Sequence, residues 1–198
     1  MRKTDICNIA LGWVGANLIM DMDEDTVEAE LCIANYTTSI KAALEAVDWT
    51  FARDRKALVP LSQEMVGTDY SNHFQLPPEC VSVRWVSSSS DFTREVKWEK
   101  EQRELYANAA KLWVKFTSYI DDPNLYTAKF THMAATQLAA DICVPLNGDK
   151  TQEKELRGKF EMLTDQASGA DGVQSLPQKV KANTLTRARF GFGNGGRY

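Results

Sequence analysis

Trp49-Thr50-Phe51-Ala52-Arg53 stands where the sequence changes its period. Before it, Ile33, Tyr36, Ile40, Ala43, Leu44 and Val47 recur every three or four positions, and Val27, Leu31 and Ala34 widen the stripe. After it the period is two. Val81, Val83 and Trp85 alternate with Ser82 and Arg84, Val96 and Trp98 flank Lys97, and Leu112, Val114 and Phe116 alternate with Trp113, Lys115 and Thr117. The first spacing predicts an amphipathic helix and the second predicts antiparallel strands with one buried face. Phe74-Gln75-Leu76-Pro77-Pro78-Glu79-Cys80 is a second marker. Two successive prolines hold the chain extended and bar a central ladder position, so they lead into a strand.

A short first helix is predicted from Thr4 to Val14, with Ile6, Ile9, Ala10 and Trp13 on one face. Thr26 or Asp25 caps the next helix, which runs to about Val47, and Glu28 and Glu30 suit its positive end. So wide an apolar girth predicts at least two neighbours, in a small bundle or an oligomer contact. Asp121-Asp122-Pro123 predicts a helix start with Asp122 as cap. Leu125, Tyr126, Phe130, Met133, Ala134, Leu138 and Ile142 give that helix its apolar side, and Ala134, Ala135, Ala139 and Ala140 permit close approach. Pro145 and Asn147-Gly148 stop it; a last helix from Lys150 to Ser168 puts Leu156, Phe160, Leu163 and Ala167 on one stripe. Ser87 to Ser90 reads as a flexible hairpin loop. Glu99 to Ala110 has a helical composition but a position between strands that favours a loop or short turn. The fold class is α+β: a helical bundle of residues 1–52 and 121–170, an inserted small antiparallel β-sheet subdomain at 53–120, and an extended basic arm at 171–198.

With 198 residues, 43% of them hydrophobic, the chain suits one core with a small subdomain. No apolar run is long enough to span a membrane, and Asn8, Gly12 and Asn17 interrupt the N-terminal stretch, so neither a membrane anchor nor a secretory signal is expected. Cys7, Cys32, Cys80 and Cys143 are far apart and predict reduced, mostly buried thiols; His73 and His132 are too few to complete a zinc site. Charge is unevenly spread. The chain carries −4 in all, and the acid-free segment 172–198 carries +5, which leaves −9 on residues 1–171. An acidic body argues against general DNA binding, and a basic tail against an acidic partner surface is the natural match.

Several patterns imitate chemistry. Asp21-Met22-Asp23-Glu24-Asp25 starts like a calcium loop but has Thr26 where glycine is required and Cys32 where a bidentate glutamate is required. His132 shares a helix with Gln137 and Asp141 without a nucleophile in a recognisable context. Gly191 to Gly196 lacks the lysine, strand and helix of a phosphate loop. The arm's arginines and aromatics could stack on single-stranded nucleic acid, though docking on protein is the better reading. Trp85, Trp98 and Trp113 follow strand alternation and read as sheet core and rim. The paired acids Asp121/Asp122 and Glu99/Glu101 support one alternative, a virion-associated glycan hydrolase. That chemistry needs two carboxyls facing across a cleft, which adjacent acids at a helix cap do not predict.

Taken in order, the motifs resemble those of the podovirus tail tubular protein A family, and more loosely the head-to-tail adaptors (connectors) of other tailed phages. The likeness covers residues 5–168. It runs through Leu11-Gly12, Tyr36, Trp49 to Arg53, Phe74 to Cys80, Val81-Ser82-Val83, Tyr119-Ile120, Asp122-Pro123, Phe130 and Leu138-Ala139-Ala140. The resemblance implies a structural virion protein at the head–tail junction, made in the host cytoplasm, without cofactor, metal or enzymatic role. It implies a homo-dodecameric ring between the portal protein and the downstream tail (nozzle) protein, through which DNA passes without sequence-specific binding. On this reading Lys179, Lys181, Arg187, Arg189, Phe190, Phe192, Arg197 and Tyr198 contact the portal. Trp49, Phe51, Arg53 and Pro77 form a structural seam, with Trp49 and Phe51 packing helix against sheet, and the acids from Asp21 to Glu30 line the channel.

Overall fold

The computed structural model describes residues 1–62 and 69–171. Among them it is α+β: helices α1 (Lys3–Val14), α2 (Val27–Ala46), α3 (Ala128–Asn147) and α4 (Lys150–Asp171) enclose, in sequence, six strands. These are β1 (Arg53–Leu58), β2 (Asn72–Gln75), β3 (Cys80–Ser87), β4 (Trp98–Glu101), β5 (Glu104–Ala107) and β6 (Leu112–Ser118).

Helix α3 is the centre of the bundle, because α1, α2 and α4 all pack on it while α1 and α2 hardly touch. Ala134, Ala135, Ala139 and Ala140 are buried there, so neighbouring backbones come close, and Phe130, Met133, Leu138 and Ile142 fill the space between. Asp141 of α3 joins three helices: its carboxylate accepts from Ser39 Oγ of α2 at 2.9 Å and lies 3.5 Å from Arg157 Nη2 of α4. Thr26 caps α2 by accepting from the Ala29 amide.

Several boundaries differ from the sequence reading. Asp122 does cap, with Pro123 behind it, but what it starts is a single 3₁₀ turn, Pro123–Leu125, and Leu125 is exposed. Helix α3 begins at Ala128 under its own cap, Thr127. Pro145 is tolerated in the last turn, and Gly148 ends the helix at φ 73°, a left-handed turn that suits glycine. On α2, Val27, Ile33 and Ala34 lie outside the buried stripe, which is Ala29, Cys32, Tyr36, Ser39, Ile40, Ala43 and Leu44.

The strands divide into two antiparallel sheets, ordered β1-β6-β3 and β2-β5-β4. They share a second core: Leu58, Val86, Leu112, Val114 and Phe116 from the first sheet meet Phe74, Leu105 and Ala107 from the second. Strand β6 keeps the alternation expected of it. Strand β3 does not, because register shifts at Cys80/Ser82 and Val83/Trp85 change which residues face inward. Val86 enters the core, and Trp85 and Trp98 are rim residues. The segment from Glu99 is neither helix nor irregular loop. It is the β4–β5 hairpin, turned at Gln102 and Arg103 with Gln102 at φ 48°. Ser87 to Ser90 is a tightly bonded turn in place of a flexible loop: Ser89 Oγ donates to Asp91 Oδ1 at 2.6 Å, and Ser87 Oγ to the Arg94 carbonyl at 2.7 Å.

Candidate functional site

The helical and β layers meet at the end of α2. That helix has no Lys or Arg in its last turn to answer its free carbonyls. The cation comes from β3. Arg84 Nη2 lies 3.0 Å from the Leu44 and Glu45 carbonyls and 2.8 Å from that of Val47, and Nε donates to Thr117 Oγ1 at 2.8 Å. Strand alternation reads Arg84 as an outward polar residue. The signal that could have found it was the helix end itself, which lacks a cation of its own.

Trp49 is buried, and its Nε1 donates to the Ala43 carbonyl at 2.8 Å. Its ring meets Phe130 of α3 edge-on at 5.3 Å, while Phe51 and Tyr126 lie 5.0 and 4.6 Å from the same Phe130 ring. The two seam aromatics therefore pack into the helical core on α3, against which Val81 of β3 also packs, and Arg84 adds a polar tie from β3 to the end of α2. Arg53 grips Asp48 with three bonds, Nη2 to Oδ2 at 2.8 Å and to the backbone carbonyl at 3.3 Å, and Nε to Oδ1 at 3.2 Å. Pro77 is buried, and its carbonyl accepts from Arg103 Nη2 at 2.6 Å.

Beside this seam runs a groove of about 330 Å³. Helix α2 contributes Lys41 and Glu45, the lead-in to β3 contributes Leu76, β3 itself contributes Val81, and the β4–β5 hairpin contributes Lys100 and Arg103. Lys41 sits over the Tyr119 ring, 5.5 Å from its centroid. Glu79 on the rim is engaged by Lys56 at 3.3 Å. Cys80 lines the groove as a half-buried thiol, and burial pushes it up against the pull of Lys100 and Arg103. Cys7, Cys32 and Cys143 are buried and free.

At the other end of α2, the loop from Gly15 to Thr26 is clamped. Asn8 Nδ2 donates to the Ile19 carbonyl at 2.8 Å and Asn8 Oδ1 accepts from the Ile19 amide at 2.9 Å, which buries Ile19. Glu24 Oε1 accepts from the Met20 and Asp21 amides at 2.6 and 3.0 Å. With its centre fixed, the loop turns Leu18 and Met20 to solvent at 64% and 85% exposure, and Val27 follows at 61%. Among the described residues no group of three His, Cys, Asp or Glu comes together as a metal site.

The remaining candidate residues are apart. Asp121 pairs with Lys3 at 2.6 Å and accepts from the Tyr119 hydroxyl at 3.1 Å, while Asp122 caps the 3₁₀ turn. Glu99 and Glu101 are exposed on β4. Neither pair lines the groove just described or the apolar one of about 320 Å³ between α3 and α4. His132 lies on that second groove, its ring 4.7 Å from Trp13. Burial and then Lys159 hold its pKa below the usual histidine value. His73 is buried on β2, with Nδ1 2.8 Å from Glu104 Oε2. Lys179, Lys181, Arg187, Arg189, Phe190, Phe192, Arg197 and Tyr198 lie outside the described residues. Among known proteins, no family model and no curated sequence matches this chain.

Proposed function

We propose that the chain is a structural head-to-tail adaptor: one subunit of a ring that joins a tailed-phage portal to the downstream tail protein, extends the DNA channel, and helps retain and pass the genome. The observation that carries the reading is the clamped loop. A loop held by Asn8 and Glu24 presents Leu18 and Met20 outward, and Val27 at the start of α2 is exposed as well. Large apolar side chains on a fixed surface are a standing cost in water and gain when a partner covers them. A bundle with more than one apolar face suits side-to-side contacts in a closed ring. The motif order from Leu11-Gly12 to Leu138-Ala139-Ala140 supports the family, and a body of −9 suits a conduit that DNA must not stick to.

The test is assembly. Purified protein is mixed with its cognate portal and followed by native mass spectrometry and electron microscopy. A ring seated on the portal is expected. Removal of residues 172–198 should abolish attachment while the far-UV and near-UV circular dichroism stay unchanged. A chain that stays monomeric beside the portal overturns the proposal, and unchanged attachment of the truncated chain removes the arm's role.

A further inference from the structure

The N-terminal end of α2 is acidic, and a groove beside its other end gathers three cations. From Thr4 to Ile40 the chain has no Lys or Arg, and Asp21, Asp23, Glu24, Asp25, Glu28 and Glu30 crowd its middle. The first cation after that gap, Lys41, opens the groove that Lys100 and Arg103 complete. Between the loop and Lys41 lie residues 27–40 of α2, which is about 21 Å of rise. The loop is clamped to α1 and to the first turn of α2, where Asn17 Nδ2 donates to Glu28 Oε1 at 3.0 Å. It cannot reach the groove of its own chain.

Resting on the adaptor reading above, we infer that the acidic loop of one subunit, led by Met20, docks into the Lys41–Lys100–Arg103 groove of the next. The fit is chemical as well as electrostatic. The groove sets Lys41, Lys100 and Arg103 against the carboxylates Glu45 and Glu79, the latter already engaged by Lys56, over a floor that includes Leu76 and Val81. The loop offers an 85% exposed methionine, Met20, with Asp21 directly after it and Asp23 three positions on. A flexible thioether fills an irregular apolar floor well, and the neighbouring carboxylates meet the lysines. The floor favours this occupant over a bare phosphate. Because loop and groove are different surfaces on one chain, the contact is heterologous and propagates from subunit to subunit, closing into a ring when the rotation allows.

Two variants test it: a groove variant, K41E/K100E, and a loop variant, D21K/D23K. All four side chains are exposed. Each variant alone should assemble worse by roughly tenfold per reversed pair, and wild-type assembly should weaken with salt. The decisive sample is the equimolar mixture. The native loop of the groove variant fits the native groove of the loop variant, and the reversed groove fits the reversed loop, so the mixture should assemble with the two chains alternating in native mass spectrometry while neither variant does so alone. A single chain carrying all four changes, with polarity inverted, should assemble again. Maleimide labelling supplies a second readout, since Cys80 lies in the groove and should react in the variants but be protected in wild-type assemblies. If wild type forms rings and both variants form them equally well, the interface is wrong and the adaptor reading stands. If wild type does not associate with itself even on the portal, the adaptor reading falls and takes this interface with it.

Discussion

Replacing Arg84 by Met keeps the apolar stem and removes every bond the guanidinium makes. The two protons on Nη2 are shared by the carbonyls of Leu44, Glu45 and Val47, and the Nε proton goes to Thr117 Oγ1, so three donated bonds are lost from a side chain only 20% exposed. Net values near 1 kcal/mol apiece, with some relief from water at the half-open helix end, give a loss of roughly 3 kcal/mol. Arg84→Lys keeps a cation near the negative end of α2 but cannot serve carbonyls and hydroxyl together, so it should lose about half as much. Thr117→Val removes one acceptor and should cost about 1 kcal/mol. Asp48 stays neutralised in each case, because Arg53 holds it at 2.8 Å. Urea unfolding followed by circular dichroism and by tryptophan fluorescence reads all three as shifts in midpoint at constant slope. An Arg84→Met protein within about 0.5 kcal/mol of wild type, a usual spread for neutral surface changes, would refute the assignment of Arg84 as a helix–sheet tie.

Trp49→Ala should destabilise by about 3–5 kcal/mol, because the ring is buried against Phe130 and Phe51. Trp49→Phe should recover much of that, still losing the Nε1 bond to Ala43. Equal unfolding midpoints for the Trp49→Ala and wild-type proteins would place the ring outside the core. Asp91 titrates at about 2, held below its ordinary 3.8 first by the Ser89 hydroxyl and then by Thr93. The folded value lies below the unfolded one, so its contribution is present above the ordinary value and disappears as pH falls through about 2. A carbonyl-detected NMR titration should find that low midpoint and see it rise in Ser89→Ala; an unmoved midpoint contradicts the turn geometry.

The parts of the fold that were legible are those where one face is buried and the other is not. Leu112, Val114 and Phe116 alternate because β6 is the middle strand of its sheet and points one face into the second core. Its neighbour β1 reads Arg-Asp-Arg-Lys-Ala-Leu, with four of the six side chains exposed. Nothing local marks it as a strand, and the β6 ladder alone makes it one. Glu99 to Glu104 has helical composition, yet Leu105 and Ala107 are needed against Phe74, and that burial draws the segment into a hairpin. The shifts in β3 are invisible for the same reason, since pairing with β6 sets them. For the candidate site, the acids from Asp21 to Glu30 could be read directly, being close together in the chain. The groove that faces them could not, because Lys41, Lys100 and Arg103 are brought together from α2 and a hairpin some sixty residues later.

The path of the chain through its strands has a genetic consequence. It leaves the bundle at Arg53 and returns at Thr117, and these two residues are direct partners across the β1–β6 ladder. Partners in an antiparallel ladder are about 5 Å apart, so a chain spliced across them would need almost no linker. Residues 54–116 are therefore placed so that recombination can exchange them as a unit without rerouting a helix. Any replacement must keep a cation at the open end of α2 where Arg84 now stands, and the groove that Leu76, Val81, Lys100 and Arg103 form beside it.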